Sequence, residues 1–403
     1  MVKINELSKI GIGTYRMNVD DLENENAIRY SILSGINIID TASNYNFGKS
    51  ELLIGKIIDE NIRDSVFIVS KAGYIQGDDI NDVRKKNLNH IEINENFLYS
   101  IESDFISFQL EKSLKRLNTN YIDCYLLHNP EYCYEKLSKE QSKNILFNSF
   151  SFLEQKVREK KIRCYGVSSN SLNLLPLKDI LETLERYPHF KVLQFPYNII
   201  EQNSLFKVDE FQNISIQQLK DRGFTILSNR PLNTIYDNKV LRLVDNPIEN
   251  IDYIEKQEEI LFSSLKSIIS KRLIEMGEEA ILENYYPINF FIENRKIIAN
   301  QEAIDKSINA YLIPFLDALA LNNKEIIDTL KSLRNYWLNF SLNENQKRLD
   351  IVKNKLYAEG VIEKSNEQDL SAILAEKYAK DGIDVVLMGL TKEIYVDKIK
   401  SIL

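Results

Sequence analysis

FISFQLEKSLKRLNTNYIDCYLLHNPE, from Phe105 to Glu131, holds a helix and a strand in succession, and their order decides the fold. Phe105, Phe108, Leu110, Leu114 and Leu117 fall on roughly one side of a helix. Residues 121–127 then form a short apolar run without period-two alternation, which is how a strand covered on both faces reads. An amphipathic helix feeding such a strand points to a parallel sheet.

The same rhythm extends in both directions. Strand candidates lie at 10–13, 36–40, 66–71, 162–167, 192–195 and 225–228, with helical runs at 21–34, 149–160, 172–186 and 210–222. Gly35 and Gly223 stand just past helix ends, where a left-handed cap favours glycine. The eighth strand comes only at 384–388, after a helix at 367–380, and a short helix from about Lys392 closes the chain. Eight such units predict a (β/α)8 barrel. The competing open, doubly wound sheet wants a GxGxxG turn after its first strand, whereas Gly11–Gly13 has no third glycine in register.

Between the seventh and eighth strands lie three helical stripes. They are Leu261, Leu265, Ile268, Ile269 and Leu273; Ile304, Ile308, Tyr311, Leu312, Phe315 and Leu319; and Ile326, Leu330, Leu333, Trp337 and Phe340. Pro314 should bend or restart the second. Residues 1–235 and 366–403 are therefore expected to form the barrel, and 236–365 a mostly helical insertion on its C-terminal, catalytic face. Residues 73–103 are polar and acidic with few core positions, and read as a surface loop or a pocket wall.

Composition narrows the function. A net charge of −8 argues against a general nucleic-acid binder, and 44% apolar with 27% charged residues is ordinary for a soluble protein. There is no run of about 18 apolar residues and no apolar leader-like start, so neither a membrane span nor export is expected. Cys124, Cys133 and Cys164 have no metal-ligand spacing, and their odd number fits a reducing, cytoplasmic setting.

Polar residues recur where apolar strands end: Asp40 and Tyr45, Lys71, His128. Each alone has an ordinary reading: Asp40 and Lys71 as a structural ion pair, His128 as a strand cap, Tyr45 as one of 21 tyrosines. His90 and His189, in polar context, read as surface residues.

Together the fragments resemble the aldo-keto reductases. DTASNYNFGKSELLIGK (40–56), SVFIVSKAG (65–73), the stretch quoted first, KKIRCYGVSSNS (160–171) and VLQFPYN (192–198) follow the family's motifs in order. The resemblance covers about residues 5–235 and 367–403. It implies NAD(P)(H)-dependent reduction of an aldehyde, ketone or sugar carbonyl, or the reverse, without a metal. Tyr45 would be the general acid. Lys71, held by Asp40, would lower the phenol's pKa, and His128 would orient the carbonyl oxygen.

For the cofactor the resemblance implies Ser168, Ser169 and Gln194 at the carboxamide. It places Gly13, Thr14 and Tyr15 beside the nicotinamide ribose, where Asp40 also belongs. Asn229 stands where many relatives carry a stacking aromatic. Arg230 is placed at the pyrophosphate, and Gly389, Thr391 and Lys392 at phosphate. Lys392, as the nearest candidate for a 2′-phosphate, puts NADP(H) ahead of NAD(H). Tyr395, Lys398 and Ile399 depart from the family's adenine contacts. Two other readings stay open: a nicotinamide-binding regulatory or assembly protein with the insertion as partner surface, and an enzyme using bound nicotinamide for internal redox or epimerisation.

Overall fold

The computed structural model describes residues 1–202, 205–208, 212–246, 250–278, 286–298, 300–365 and 368–403. The chain divides into two compact units, Met1–Thr234 with Lys364–Leu403, and Ile235–Glu363.

The first unit is a closed barrel of eight parallel strands. They are β1 (Ile10–Gly13), β2 (Ile38–Asp40), β3 (Phe67–Ala72), β4 (Ile122–His128), β5 (Ile162–Ser168), β6 (Phe190–Pro196), β7 (Thr225–Asn229) and β8 (Val385–Met388). Successive barrel strands pair in parallel, with a register shift between β5 and β6, and β8 returns to pair with β1, as in Ile10 with Val386. Every residue of β2, β3, β4 and β8 is buried, which is why the sequence runs are continuously apolar.

One face of each strand fills the lumen. Ile38, Val69, Cys124, Leu126, Cys164, Val192, Leu227, Val385 and Leu387 form a single interior cluster, with Val2, Ile4 and Leu7 packed against it. Gly11 makes room in that cluster, since a Cβ there would lie 2.7 Å from the Leu387 side chain. Helices cover the other face and are capped from the sequence: Asp21 accepts from the Glu23 amide, and Ser138 and Ser215 each form a capping box. Gly35 and Gly223 close helices in the left-handed region.

Four segments differ from expectation. Residues 73–103 are an ordered excursion: a helix (Asp78–Lys86) and a three-stranded antiparallel sheet of Tyr74–Ile75, Ile91–Asn94 and Phe97–Tyr99. Of its apolar residues, Ile75, Ile80, Val83, Leu98, Tyr99 and Ile101 are buried, while Tyr74, Leu88, Ile91, Ile93 and Phe97 are partly so. The helix expected at 172–186 is cut into pieces, with regular helix only at Leu177–Glu182. Pro176 precedes that piece, and the Thr183 hydroxyl ends it by bonding back to the Asp179 carbonyl at 2.7 Å. The helix expected at 210–222 is confined to Ile216–Asp221. An antiparallel pair, Leu205–Lys207 with Asn213–Ser215, comes before it, and residues 210 and 211 lie outside the described residues. In the other direction, the helix expected from residue 149 already starts at Lys139.

The second unit is mostly helical, after a short hairpin of Asn233–Tyr236 and Lys239–Arg242 that begins at its boundary. Helices Ile251–Glu275, Tyr286–Asn294, Gln301–Ser307, Ile313–Ala318 and Lys324–Ala358 supply its core. The three sequence stripes meet there, and the fully buried Trp337 stacks on Phe291 with centroids 4.9 Å apart. Pro314 cannot donate a backbone bond, and the helix passes through a π turn at Ile308–Leu312 just before it. The phase change leaves Tyr311 40% exposed rather than in the core.

Glu258 is a fully buried acid in this unit. One oxygen accepts from Arg295 Nε at 2.8 Å and Trp337 Nε1 at 2.9 Å. Glu258→Ala leaves Arg295 Nε and Trp337 Nε1 without their buried acceptor, although Arg295 keeps Glu259 and the Ile292 carbonyl, so urea unfolding should show a loss of about 2 kcal/mol. A loss below about 1 kcal/mol would mean that Arg295 finds water instead.

Candidate active site

The period of two along each strand builds the site. Two residues beyond the lumen-filling positions Gly11, Ile38, Val69, Leu126, Gly166, Val192, Leu227 and Leu387 come Gly13, Asp40, Lys71, His128, Ser168, Gln194, Asn229 and Gly389. Every strand thus contributes one residue to a layer at the C-terminal mouth, and the layer turns from apolar to polar in one step.

Within it the side chains are linked. Lys71 Nζ, 0% exposed, donates to Asp40 Oδ2 at 2.8 Å, to the Thr41 carbonyl at 2.8 Å and to the Tyr45 hydroxyl at 3.3 Å. Gln194 Nε2 donates to Asp40 Oδ1 at 2.7 Å, and Ser168 Oγ donates to Gln194 Oε1 at 2.7 Å. The Tyr45 ring meets Tyr15 edge-on at 5.1 Å and His128 at 6.0 Å between centroids. Thr14 Oγ1 donates to the Asp40 carbonyl at 3.0 Å. All four expected catalytic residues therefore lie in one cluster.

Tyr45 is held by an unusual turn. Asn46, Phe47 and Gly48 are left-handed in succession, with φ of 47°, 56° and 86°. Asn46 anchors the turn by donating to the Met17 carbonyl at 2.7 Å. Two non-glycine residues in this region cost roughly 1–2 kcal/mol each, strain of the kind often kept at functional sites.

Burial sets the protonation states. It pushes the Tyr45 phenol well above its usual value, and the Asp40 and Tyr15 charges add to this. Lys71 lies close, yet its charge is shared with Asp40, so the expected lowering of the phenol is not seen in the protein alone. Burial lowers the Lys71 amine, against the pull of Asp40. It also holds the His128 imidazole well below its ordinary range, assisted by Lys71. The unfolded chain then binds a proton at His128 that the folded chain refuses, so stability falls as pH drops below about 6.5. Ring-nitrogen NMR should show His128 neutral between about pH 5 and pH 8; a titration near 6.5 would contradict its burial.

The remaining expected residues are spread around the mouth. Ser169 Oγ donates to Glu131 Oε2 at 2.8 Å, and the Asn170 amide donates to Glu131 Oε1 at 2.8 Å. Arg230, left-handed at φ 51° and exposed, donates to Asn170 Oδ1 at 2.6 Å. The Thr391 carbonyl accepts from Asn24 at 3.3 Å. Lys392 is exposed and pairs with Glu23 at 3.1 Å. Tyr15 is 60% exposed. His90 is exposed and His189 partly so, the latter 2.8 Å from Glu154.

Several partners went unread in the sequence. Tyr74 packs 4.7 Å from the His128 ring and stacks on Phe97, while Tyr99 donates to the His128 carbonyl at 3.0 Å. Asn129, left-handed at φ 57°, donates to Tyr74 at 2.5 Å. The one available signal was the aromatic content of an otherwise polar stretch. Glu131, in the stretch quoted first, carried none.

The layer is also incomplete in a specific way. Asn229 Oδ1, in this layer, and Asn44 Oδ1, beyond the end of β2, are buried without a hydrogen-bond partner among the described residues. Gly13 and Gly389, on adjacent strands, contribute no side chain, and a Cβ at Gly389 would meet nothing within 4 Å. Orphaned polar atoms beside an open edge are what a bound polar ring needs. Among the described residues no cluster of three or more metal-ligating side chains exists.

The aldo/keto reductase family model matches residues 9–238, more than half of the chain. The chain belongs to the aldo/keto reductase family. It is 28% identical over 229 residues to aldo-keto reductase YhdN of Bacillus subtilis, covering 55% of this chain and 57% of that one. It is 25% identical over 235 residues to the NADH-specific methylglyoxal reductase of Escherichia coli, covering 56% and 64%. Among solved structures, an aldo-keto reductase from Klebsiella pneumoniae in complex with NADPH is 23% identical, with a TM-score of 0.37 over 56% of this chain and 64% of that chain. The chain thus spans less than two thirds of the length of these family members. The family match ends at residue 238, next to the start of the helical unit at Ile235.

Proposed function

We propose that this aldo/keto reductase is an NAD(P)(H)-dependent oxidoreductase that reduces an aldehyde, ketone or sugar carbonyl, or oxidises the alcohol. The observation that carries the reading is the buried Asp40–Lys71 pair, with Lys71 Nζ at 3.3 Å from the Tyr45 hydroxyl. Nicotinamide, when bound, supplies or takes the hydride. The chain's own residues handle the proton and the oxygen.

Tyr45, kept protonated by its surroundings, gives its proton to the carbonyl oxygen. Lys71 stabilises the phenolate left behind, and Asp40 holds Lys71 in place. Neutral His128 donates its ring N–H to the same oxygen without competing as an acid. Ser168, Ser169, Gln194 and Asn229 would hold the carboxamide, where the unpartnered Asn229 oxygen is an acceptor in need of a donor. Gly13, Thr14 and Tyr15 would flank the ribose, and Arg230, Gly389, Thr391 and Lys392 the phosphates. NADP(H) stands ahead of NAD(H), since the exposed Lys392–Glu23 pair is worth little and can yield to a 2′-phosphate. No helix among the described residues is long and apolar enough to cross a membrane. The free, buried Cys124, Cys133 and Cys164 suit a cytoplasmic setting.

NADPH and NADH added in turn should each raise the melting temperature, NADPH more. A ligand at about 100-fold over its Kd adds about 2.7 kcal/mol. If neither nucleotide shifts the transition, the reading fails at its first step. A screen for turnover should begin with methylglyoxal and pentoses, since relatives are named methylglyoxal reductase and D-arabinose 1-dehydrogenase.

A further inference from the structure

Gln194 makes a bond that the sheet does not impose. β6 and β2 stand on opposite sides of the barrel, so no backbone pairing brings Gln194 to Asp40. Yet Gln194, 1% exposed, reaches across to Asp40 Oδ1 at 2.7 Å, while Ser168 holds its far end at 2.7 Å. The other Asp40 oxygen, Oδ2, is on Lys71 at 2.8 Å, and Lys71 continues to the Tyr45 hydroxyl at 3.3 Å. A buried line therefore runs Ser168–Gln194–Asp40–Lys71–Tyr45.

We propose that Gln194 is a positioning residue: by occupying Asp40 Oδ1 it fixes the rotation of the carboxylate, so that Oδ2 holds Lys71 within reach of the Tyr45 hydroxyl. This deepens the reading of Tyr45 as proton donor and rests on it. The carboxylate torsion is broad and roughly two-fold, so a donor on one oxygen is what selects an orientation. The charged and titratable groups facing Tyr45 and Lys71 are Asp40, Tyr15, His128, Cys124 and Glu51. Among the described residues, Gln194 is the side chain that donates to Asp40 Oδ1.

Gln194→Glu keeps the shape and makes the donor conditional on a proton. Next to Asp40 the new carboxyl must be protonated to bridge, so its proton affinity is raised in the folded chain. A group raised in this way contributes stability at low pH and loses it as pH rises. In the nucleotide-free protein, the melting-temperature gap between Gln194→Glu and the parent should widen by several degrees from about pH 5 to about pH 8. A pH-independent gap overturns the proposal. At saturating nucleotide, kcat of the variant relative to the parent should rise about tenfold over the same range as pH falls, because the protonated acid restores the donor. A flat kcat ratio with a pH-dependent nucleotide Kd would make Gln194 a carboxamide contact only, and overturns it too. Should Gln194→Glu not fold, Gln194→Met takes its place: at saturating nucleotide a fall in kcat of about thirtyfold supports the proposal, whatever the lost carboxamide contact does to Kd, and unchanged kcat overturns it. Failure of the parent chain to bind nucleotide would instead sink the proposed activity and leave the nucleotide-free measurement intact.

Discussion

Tyr45→Phe is expected to lower kcat by about 10³-fold while leaving nucleotide affinity within about twofold. Only the hydroxyl is removed, so the ring still packs against Tyr15 at 5.1 Å and His128 at 6.0 Å. Lys71 keeps two of its three acceptors, Asp40 and the Thr41 carbonyl, so the buried ammonium remains satisfied. The fold should therefore be unaffected, and the loss should fall on kcat. Steady-state kinetics with a nucleotide titration by fluorescence separates the two. Retained turnover would mean that the proton comes from elsewhere, with His128 a poor substitute because its imidazole is held neutral.

Gly166→Ala carries the largest expected effect on stability. A Cβ there would lie 2.0 Å from the Val192 carbonyl oxygen and 2.7 Å from its carbon, both backbone atoms of β6. Ordinary overpacking costs about 1–3 kcal/mol because side chains can shift. Here the neighbouring strand itself must move, at a place where the register between β5 and β6 already shifts. A loss of about 4 kcal/mol or more is expected from urea unfolding. Activity should suffer as well, because Ser168 and Gln194 stand two residues further along the same strands. Gly35→Ala is the control: nothing lies within 4 Å of its Cβ, so only the left-handed backbone is taxed, at roughly 1 kcal/mol. Equal effects at the two positions would contradict the packing account.

The barrel was legible because its strands are buried on both faces and its helices carry one apolar side and local caps. Asp40, Lys71 and His128 were legible because each stands at the end of an apolar run, and Tyr45 because it follows Asp40 in the stretch DTASNY. The excursion at 73–103 was not: Ile75, Ile80, Val83, Leu98, Tyr99 and Ile101 are buried but too sparse to show a period. Leu172 to Arg186 had helical periodicity, but Pro176 and the back-bonding Thr183 hydroxyl cut the helix. The protonation of Tyr45 was also beyond sequence, since it turns on burial against one nearby ammonium already shared with Asp40. Hydrogen bonds such as Gln194 to Asp40 join residues 154 positions apart, and only the closure of the barrel brings them together.

The most direct test is reduction of a small aldehyde with nucleotide deuterated at the transferable position. The account predicts that the parent chain consumes nucleotide only when carbonyl is present, and that deuterium appears on the carbinol carbon. Nucleotide binding without consumption across the carbonyl panel, or consumption without label in the product, would contradict it.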